Sequence, residues 1–171
     1  MNKAIFFDRD GVLNEDAGYL YEIEKFKWIE GAINAIKLCN EKNILTVVVT
    51  NQSGIARGFY TEDDVKKIHD FMQEDLKKFS AHIDAFYYCP HHPEGKVENY
   101  RKICDCRKPK PGMILQAAKD FDIDLKNSIL FGDSQRDIDS AKNAGLKEGI
   151  FFEGGNLFEA VKNNLEKFFE I

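Results

Sequence analysis

The segment Ile44-Leu45-Thr46-Val47-Val48-Val49-Thr50 limits the fold more than any other. It is uncharged, nearly all apolar and rich in β-branched residues. Such a run reads as a strand covered on both faces, the situation of a parallel sheet with helices packed on each side. A second run of this kind, about Lys3 to Phe7, lies near the start. Ile83 to Tyr88, Ile129 to Phe131 and Gly149 to Phe152 read as three further strands.

Helical periodicity fills the intervals. A helix over about Gly31 to Lys42 turns Ile33, Ile36 and Leu38 inward, with Cys39 near that face as a small core residue. Thr61 is a plausible N-cap followed by Glu62, Asp63 and Asp64, and Val65, Ile68, Met72, Leu76 and Phe79 make the next apolar stripe. His69 lies beside that stripe and reads as a partly buried helix histidine. Pro111 suits a first helical position, ahead of Met113, Ile114, Ala117, Ala118 and Phe121. A helix through Ile138 and Ala141 runs to Gly145. A last one, about Asn156 to Phe169, buries Leu157, Phe158, Val161, Leu165 and Phe168. Alternating strands and helices predict an α/β, Rossmann-like parallel sheet with helices on both faces. One domain over residues 1–171 accommodates all of it.

Polar chemistry sits where the strands end. Asp8 and Asp10 follow the first strand at i and i+2 and precede Gly11, so both side chains can face one ligand. Thr50-Asn51 closes the second strand and Gly132-Asp133 the fourth. In a parallel sheet these ends share one rim, where open α/β sheets bind ligands. Clustered carboxylates repel unless a cation or a shared proton intervenes. Phosphoryl transfer to water would use such a set, with Asp8 as nucleophile and Asp10 as general acid and base. Asp8, Asp10 and Asp133 form an oxygen set for a hard dication, magnesium fitting best. Thr50 offers a hydroxyl and Lys108 a positive charge to the phosphate.

Four cysteines in a chain of net charge −5 bear on compartment and partners. No signal-like or membrane-length apolar run is present, so a cytoplasmic, reducing location is expected, with no membrane association. The acidic balance and the lack of a basic stripe argue against nucleic acid as a partner, including a nucleic-acid 3′-phosphatase. In that setting cysteines serve as metal ligands or core residues. Cys89-Pro90-His91-His92 and Cys104-Asp105-Cys106 supply three thiols and an imidazole, from His91 or His92, for a closed tetrahedral zinc site. Four protein ligands leave no open position, so this zinc would be structural and would order a loop of about residues 89–107. Arg107-Lys108 follows directly, so fixing the loop fixes those cations. No stretch is long enough for a large cap domain. The zinc loop and the Asn14 to Trp28 loop would wall the pocket instead.

These motifs, in this order, resemble the haloacid dehalogenase superfamily of aspartate-nucleophile phosphatases. Asp8-x-Asp10-Gly11 is similar to its first motif, Thr50-Asn51 to the second and Lys108 to the third. Gly132-Asp133 with Asp137 is similar to the fourth. The resemblance implies strand order 5-4-1-2-3. Asn14 to Tyr19, Thr50 to Gly58 and Cys104 to Pro109 more closely resemble the family of D-glycero-D-manno-heptose 1,7-bisphosphate 7-phosphatases. That likeness implies a magnesium-dependent hydrolase of a sugar phosphate, monomeric, serving heptose supply for lipopolysaccharide or related surface glycans. It implies zinc ligation by Cys89, His91, Cys104 and Cys106. It also implies substrate contacts from Asp16, Gly18, Tyr19, Thr50, Asn51, Gln52, Ser53, Arg107 and Lys108. The related histidinol-phosphate phosphatases share the plan, and a non-catalytic zinc-stabilised binding module is the alternative of another class. Ser134 stands where such enzymes often carry lysine or arginine, leaving Arg136 or Lys110 as the cations available to compensate.

Overall fold

The computed structural model describes residues 1–169. Its five strands are β1 (Ala4–Phe7), β2 (Leu45–Asn51), β3 (Ala85–Cys89), β4 (Ile129–Gly132) and β5 (Glu148–Phe151). They pair in parallel in the order β3-β2-β1-β4-β5, the order that the resemblance implied. Five helices connect or flank them: α1 (Ala32–Glu41), α2 (Glu62–Lys77), α3 (Gly112–Phe121), α4 (Gln135–Ala144) and α5 (Leu157–Phe169).

Strict side-chain alternation builds the layers. Ile5, Phe7, Val48, Ile129 and Phe131 enter one core with residues of α1, α2 and α5. Ala4, Phe6, Val47, Val49 and Leu130 enter a second with α3 and α4. Because both faces are covered, β1 is fully buried along its length, and its sequence shows no polar alternation. Strand order reverses between β1 and β4, which opens a crevice at their carboxyl ends.

Several boundaries differ from the sequence expectation, each for a local reason. β3 begins at Ala85 because the Asp84 carboxylate accepts the Thr46 N–H at 2.8 Å and takes a ladder position. α2 ends at Lys77, and the chain turns through Ser80 at φ 57°, so Phe79 leaves the apolar stripe and is exposed. In α1 the buried face is Ala32, Ala35, Ile36 and Cys39, while Ile33 and Leu38 only flank it. In α5 the buried row is Leu157, Val161, Leu165 and Phe169, a strict i+4 series that leaves Phe158 and Phe168 half-buried. Pro111 caps α3 rather than opening it. Thr61 caps α2 as expected: its hydroxyl accepts the Asp64 N–H at 3.2 Å, and Asp64 accepts the Thr61 N–H at 2.9 Å.

Candidate active site

Asp8 leaves β1 at the reversal point, where its N–H bonds to the Phe131 carbonyl of β4. One oxygen of its carboxylate, Oδ1, accepts from the Arg9 N–H at 2.9 Å and from Lys108 Nζ at 3.0 Å. Lys108 is itself buried; its ammonium also donates to the Val49 carbonyl at 2.8 Å and pairs with Asp137 at 2.6 Å. Burial disfavours the lysine's charge, but Asp8 and Asp137 outweigh that and raise its pKa. Asp8 is pushed up to about 8 by burial, aided by Asp137 and Asp10 and opposed by Lys108. Asp133 is raised as well, by burial and then by Asp137. One lysine is therefore too little positive charge for these carboxylates.

Asp137 is positioned by the start of α4. It accepts the N–H groups of Asp133 and Ser134 at 3.1 and 3.2 Å and the Ser134 hydroxyl at 3.0 Å. Gly11, at φ 90°, lies so close to Asp133 that any Cβ there would run into the carboxylate.

Asp10 lines the same cleft but takes a separate set of partners. Its carboxylate accepts from Arg9 Nη2 at 3.0 and 3.2 Å, from Asn14 Nδ2 at 2.9 Å and from Gln52 Nε2 at 3.1 Å. Burial works against ionisation, yet the Arg9 guanidinium and these donors together hold its carboxyl below the usual range. The oxygen cluster able to hold a cation is Asp8, Asp133 and Asp137. The Asp10 side chain, expected in that set, is replaced there by Asp137, which the sequence had shown only as part of a motif. Asp137 is committed to Lys108 and the α4 cap, which leaves Asp8 and Asp133 as the freer oxygen donors.

These groups open onto a cleft of about 410 Å³. Asp16, Gly18, Tyr19, Asn51, Gln52, Ser53, Arg107 and Lys108 line it as expected. Thr50 does not. It is buried, and its hydroxyl accepts from Gln52 at 2.9 Å, which helps fix the amide that reaches Asp10. Asn51 clasps the backbone of Lys108 through two hydrogen bonds, 3.0 and 3.2 Å, joining the end of β2 to the segment after the cysteine loop. Arg57, Tyr60 and Arg136 also line the cleft, and no strand-end pattern singled them out. Arg9 was missed too. Its place between two aspartates was a readable signal, but its complete burial was not.

Cys89, His91, Cys104 and Cys106 converge beside this cleft, their donor atoms within 4.8 Å of one another. Tetrahedral zinc with three thiolates and an imidazole requires S···S of about 3.8 Å and S···N of about 3.6 Å. The Cys89–Cys104 and Cys104–Cys106 sulfurs lie 3.5 and 3.4 Å apart, and His91 Nδ1 is 3.7 and 3.5 Å from Cys89 and Cys106. The Cys89–Cys106 separation, 2.8 Å, is tighter than that geometry. His92 is outside the cluster: its Nδ1 accepts the Glu94 N–H and its Nε2 meets Arg57.

Comparison with known proteins agrees with this geometry. A HAD-hydrolase-like family model matches residues 105–156. The D-glycero-beta-D-manno-heptose-1,7-bisphosphate 7-phosphatase of Haemophilus influenzae is 47% identical over 91% of this chain and 84% of its own length. The Escherichia coli K12 enzyme of that name is 46% identical over 89% of this chain and 80% of its own. The chain belongs to this family of haloacid dehalogenase-like phosphatases. It is a phosphoric monoester hydrolase. Among solved structures, the D,D-heptose 1,7-bisphosphate phosphatase from B. bronchiseptica, complexed with magnesium and phosphate, superimposes with a TM-score of 0.80. It is 31% identical and covers 96% of this chain and 99% of its own. The phosphatase described here has the oxygen donors that magnesium prefers, in Asp8 and Asp133, and an excess of carboxylate that a dication would relieve. None of its helices, among the described residues, is long and apolar enough to cross a membrane.

Proposed function

We propose that this phosphatase removes the 7-phosphate of D-glycero-β-D-manno-heptose 1,7-bisphosphate. The observation that carries the reading is the Asp8 carboxylate at the sheet's reversal point, 3.0 Å from Lys108 and beside Asp133, inside a cleft of sugar-phosphate size. Asp8 attacks phosphorus in line with the departing sugar oxygen; the P–O7 bond breaks and an aspartyl phosphate forms. Asp10 gives its proton to the leaving alkoxide. It then takes one from the water that attacks the aspartyl phosphate, releasing inorganic phosphate and restoring Asp8. The donors around Asp10 favour its carboxylate, the form needed for the second step. A phosphoryl dianion beside it favours the protonated form needed for the first.

Lys108 stabilises the developing negative charge and holds Asp8 in place. Asp8 and Asp133 would hold magnesium, which supplies charge neutralisation at the phosphoryl oxygens. Cys89, His91, Cys104 and Cys106 would hold a structural zinc that orders the loop leading into Arg107 and Lys108. The protein acts as a single unit, a cytoplasmic monomer with no membrane or nucleic-acid partner, supplying heptose for surface glycans.

The test is phosphate release from both anomers of heptose 1,7-bisphosphate, from histidinol phosphate and from an aryl phosphate, with and without magnesium. Magnesium-dependent preference for the β anomer is expected. Turnover of histidinol phosphate alone would replace this substrate with that one. No turnover of any compound by folded, metal-loaded protein would overturn the reading.

A further inference from the structure

Two sets of charged groups stand out in the cleft. Asp8, Asp133 and Asp137 form the floor, where Lys108 is already engaged by Asp8 and Asp137. Arg57, Arg107 and Arg136 line the same cleft, and among the described residues none has a carboxylate partner within 4.0 Å. Arg57 meets the neutral ring of His92, and Arg107 reaches only the His91 carbonyl at 3.5 Å.

Arg136 is the least explained of the three. It sits in the first turn of α4, between the Ser134 cap and Asp137, where the exposed N–H groups and the helix dipole disfavour a cation. Among the described residues, no carboxylate within 4.0 Å offsets that cost. Lys110, the other candidate to make up for the neutral Ser134, does not line the cleft. The placement becomes favourable once an anion enters the cleft between Arg136 and Arg107. The phosphoryl group undergoing transfer already has Lys108 and the metal-binding floor, so the anion that suits the rim is a second one on the same substrate.

We propose that Arg136 adds a contact to the phosphate that is not hydrolysed, beside Arg107, and so strengthens the preference of this enzyme for sugar bisphosphates over monophosphates. This rests on the sugar-phosphate reading above and adds a residue to it. A guanidinium presents paired donors that match a phosphate, and its loss at a charged contact weakens binding roughly ten- to a hundredfold.

The experiment compares kcat/KM for heptose 1,7-bisphosphate and for heptose 7-phosphate in the native enzyme, Arg136→Ala and Arg136→Lys. The ratio of the two values should fall roughly ten- to a hundredfold in Arg136→Ala, chiefly through KM, and recover partly in Arg136→Lys. An unchanged ratio, whether both substrates suffer equally or neither does, would overturn the proposal while leaving the proposed reaction standing. If the native enzyme hydrolyses neither compound, the substrate reading fails. Calorimetric binding of fructose 1,6-bisphosphate against fructose 6-phosphate to the same three proteins then decides the role of Arg136. Loss of bisphosphate preference in Arg136→Ala supports it, and an unaltered preference overturns it.

Discussion

The floor of the cleft and its rim are ordered by different forces. The floor hangs on the ends of β1 and β4, strands with no solvent exposure, and its carboxylates are placed by backbone pairing before any side-chain chemistry begins. Apart from Arg136 in the first turn of α4, the rim comes from irregular chain. Residues 90–111 contain a single short 3₁₀ turn, Glu98–Tyr100, and few apolar side chains, so burial alone cannot hold them. They are tied down by the convergence of Cys89, His91, Cys104 and Cys106, by the Asn51 clasp of Lys108, and by Glu62, which accepts from both Tyr88 and Tyr100 at 2.6 and 2.7 Å. A strained charge set belongs on the rigid part, and adjustable recognition groups belong on the part that chemistry assembles.

The largest effect should follow from the smallest change to the floor. Asp8→Asn keeps the shape of the side chain and removes the nucleophile, so turnover should fall at least about a thousandfold. The fold should survive, because Asp8 is a crowded carboxylate with its pKa pushed up to about 8, and neutralising it relieves repulsion. Steady-state kinetics with a urea melt checks both halves. A variant that unfolds would mean that the Asp8–Lys108 pair is needed for stability. A variant that still turns over would remove the nucleophile assignment.

Cys104→Ser attacks the other region. Zinc content should drop, and residues 89–107 should become sensitive to limited proteolysis while the circular dichroism of the sheet persists. Activity should fall about a hundredfold, because Arg107 and Lys108 lose the loop that aims them. Equal loss of sheet and loop signal would show that the two regions fold as one cooperative unit and would break the contrast. Unchanged zinc and activity would remove the ligand role.

The same division explains what could be read from the sequence. Strand composition exposes the sheet, and its ends expose Asp8, Asp10 and Asp133, because those signals are local. The commitment of Asp137 to Lys108 is not local: it joins the segment after the cysteine loop to the α4 cap, and no periodicity encodes it. Thr50 was legible as a motif residue but not as a buried acceptor for Gln52, since the direction of a strand-end hydroxyl depends on the neighbouring loop. Phe79 and Phe168 were misplaced because an apolar stripe does not announce where its helix stops or which of two adjacent rings wins the core. The cluster of Cys89, Cys104 and Cys106 with an imidazole was legible as a set; the residues alone left His91 and His92 open, the resemblance favoured His91, and the turn in which Glu94 donates to His92 keeps His92 outside the cluster.

A smaller effect lies beneath the floor. His69 is buried against Phe86, with ring centroids 4.3 Å apart, and its Nε2 faces Arg9 Nη1 at 3.2 Å. Burial and then the Arg9 charge push its pKa down to about 3. Below its ordinary value the unfolded chain therefore binds a proton that the folded one refuses. Stability is lost as pH falls from about 6.5 toward 3, by about 2 kcal/mol between pH 7 and pH 5. His69→Gln should remove that share of the slope. Urea midpoints at the two pH values would test it, and parallel losses in both proteins would show that His69 is not the group responsible.

The smallest effect should come from the tether where the two regions meet. Glu62, in the first turn of α2, is held below the usual carboxylate range by hydrogen bonds from Tyr88 and Tyr100. Tyr88 belongs to β3 and Tyr100 to the cysteine loop, so one carboxylate links the sheet, a helix and the rim. Glu62→Gln weakens both bonds but leaves the cysteines untouched. It should cost about 1 kcal/mol, given the partial exposure of the group. The loss should appear as faster amide exchange around Tyr100 with zinc content unchanged. If exchange around Tyr100 stays slow, the cluster of Cys89, His91, Cys104 and Cys106 orders the loop without this tether, and the contrast between floor and rim reduces to backbone pairing on one side and that cluster on the other.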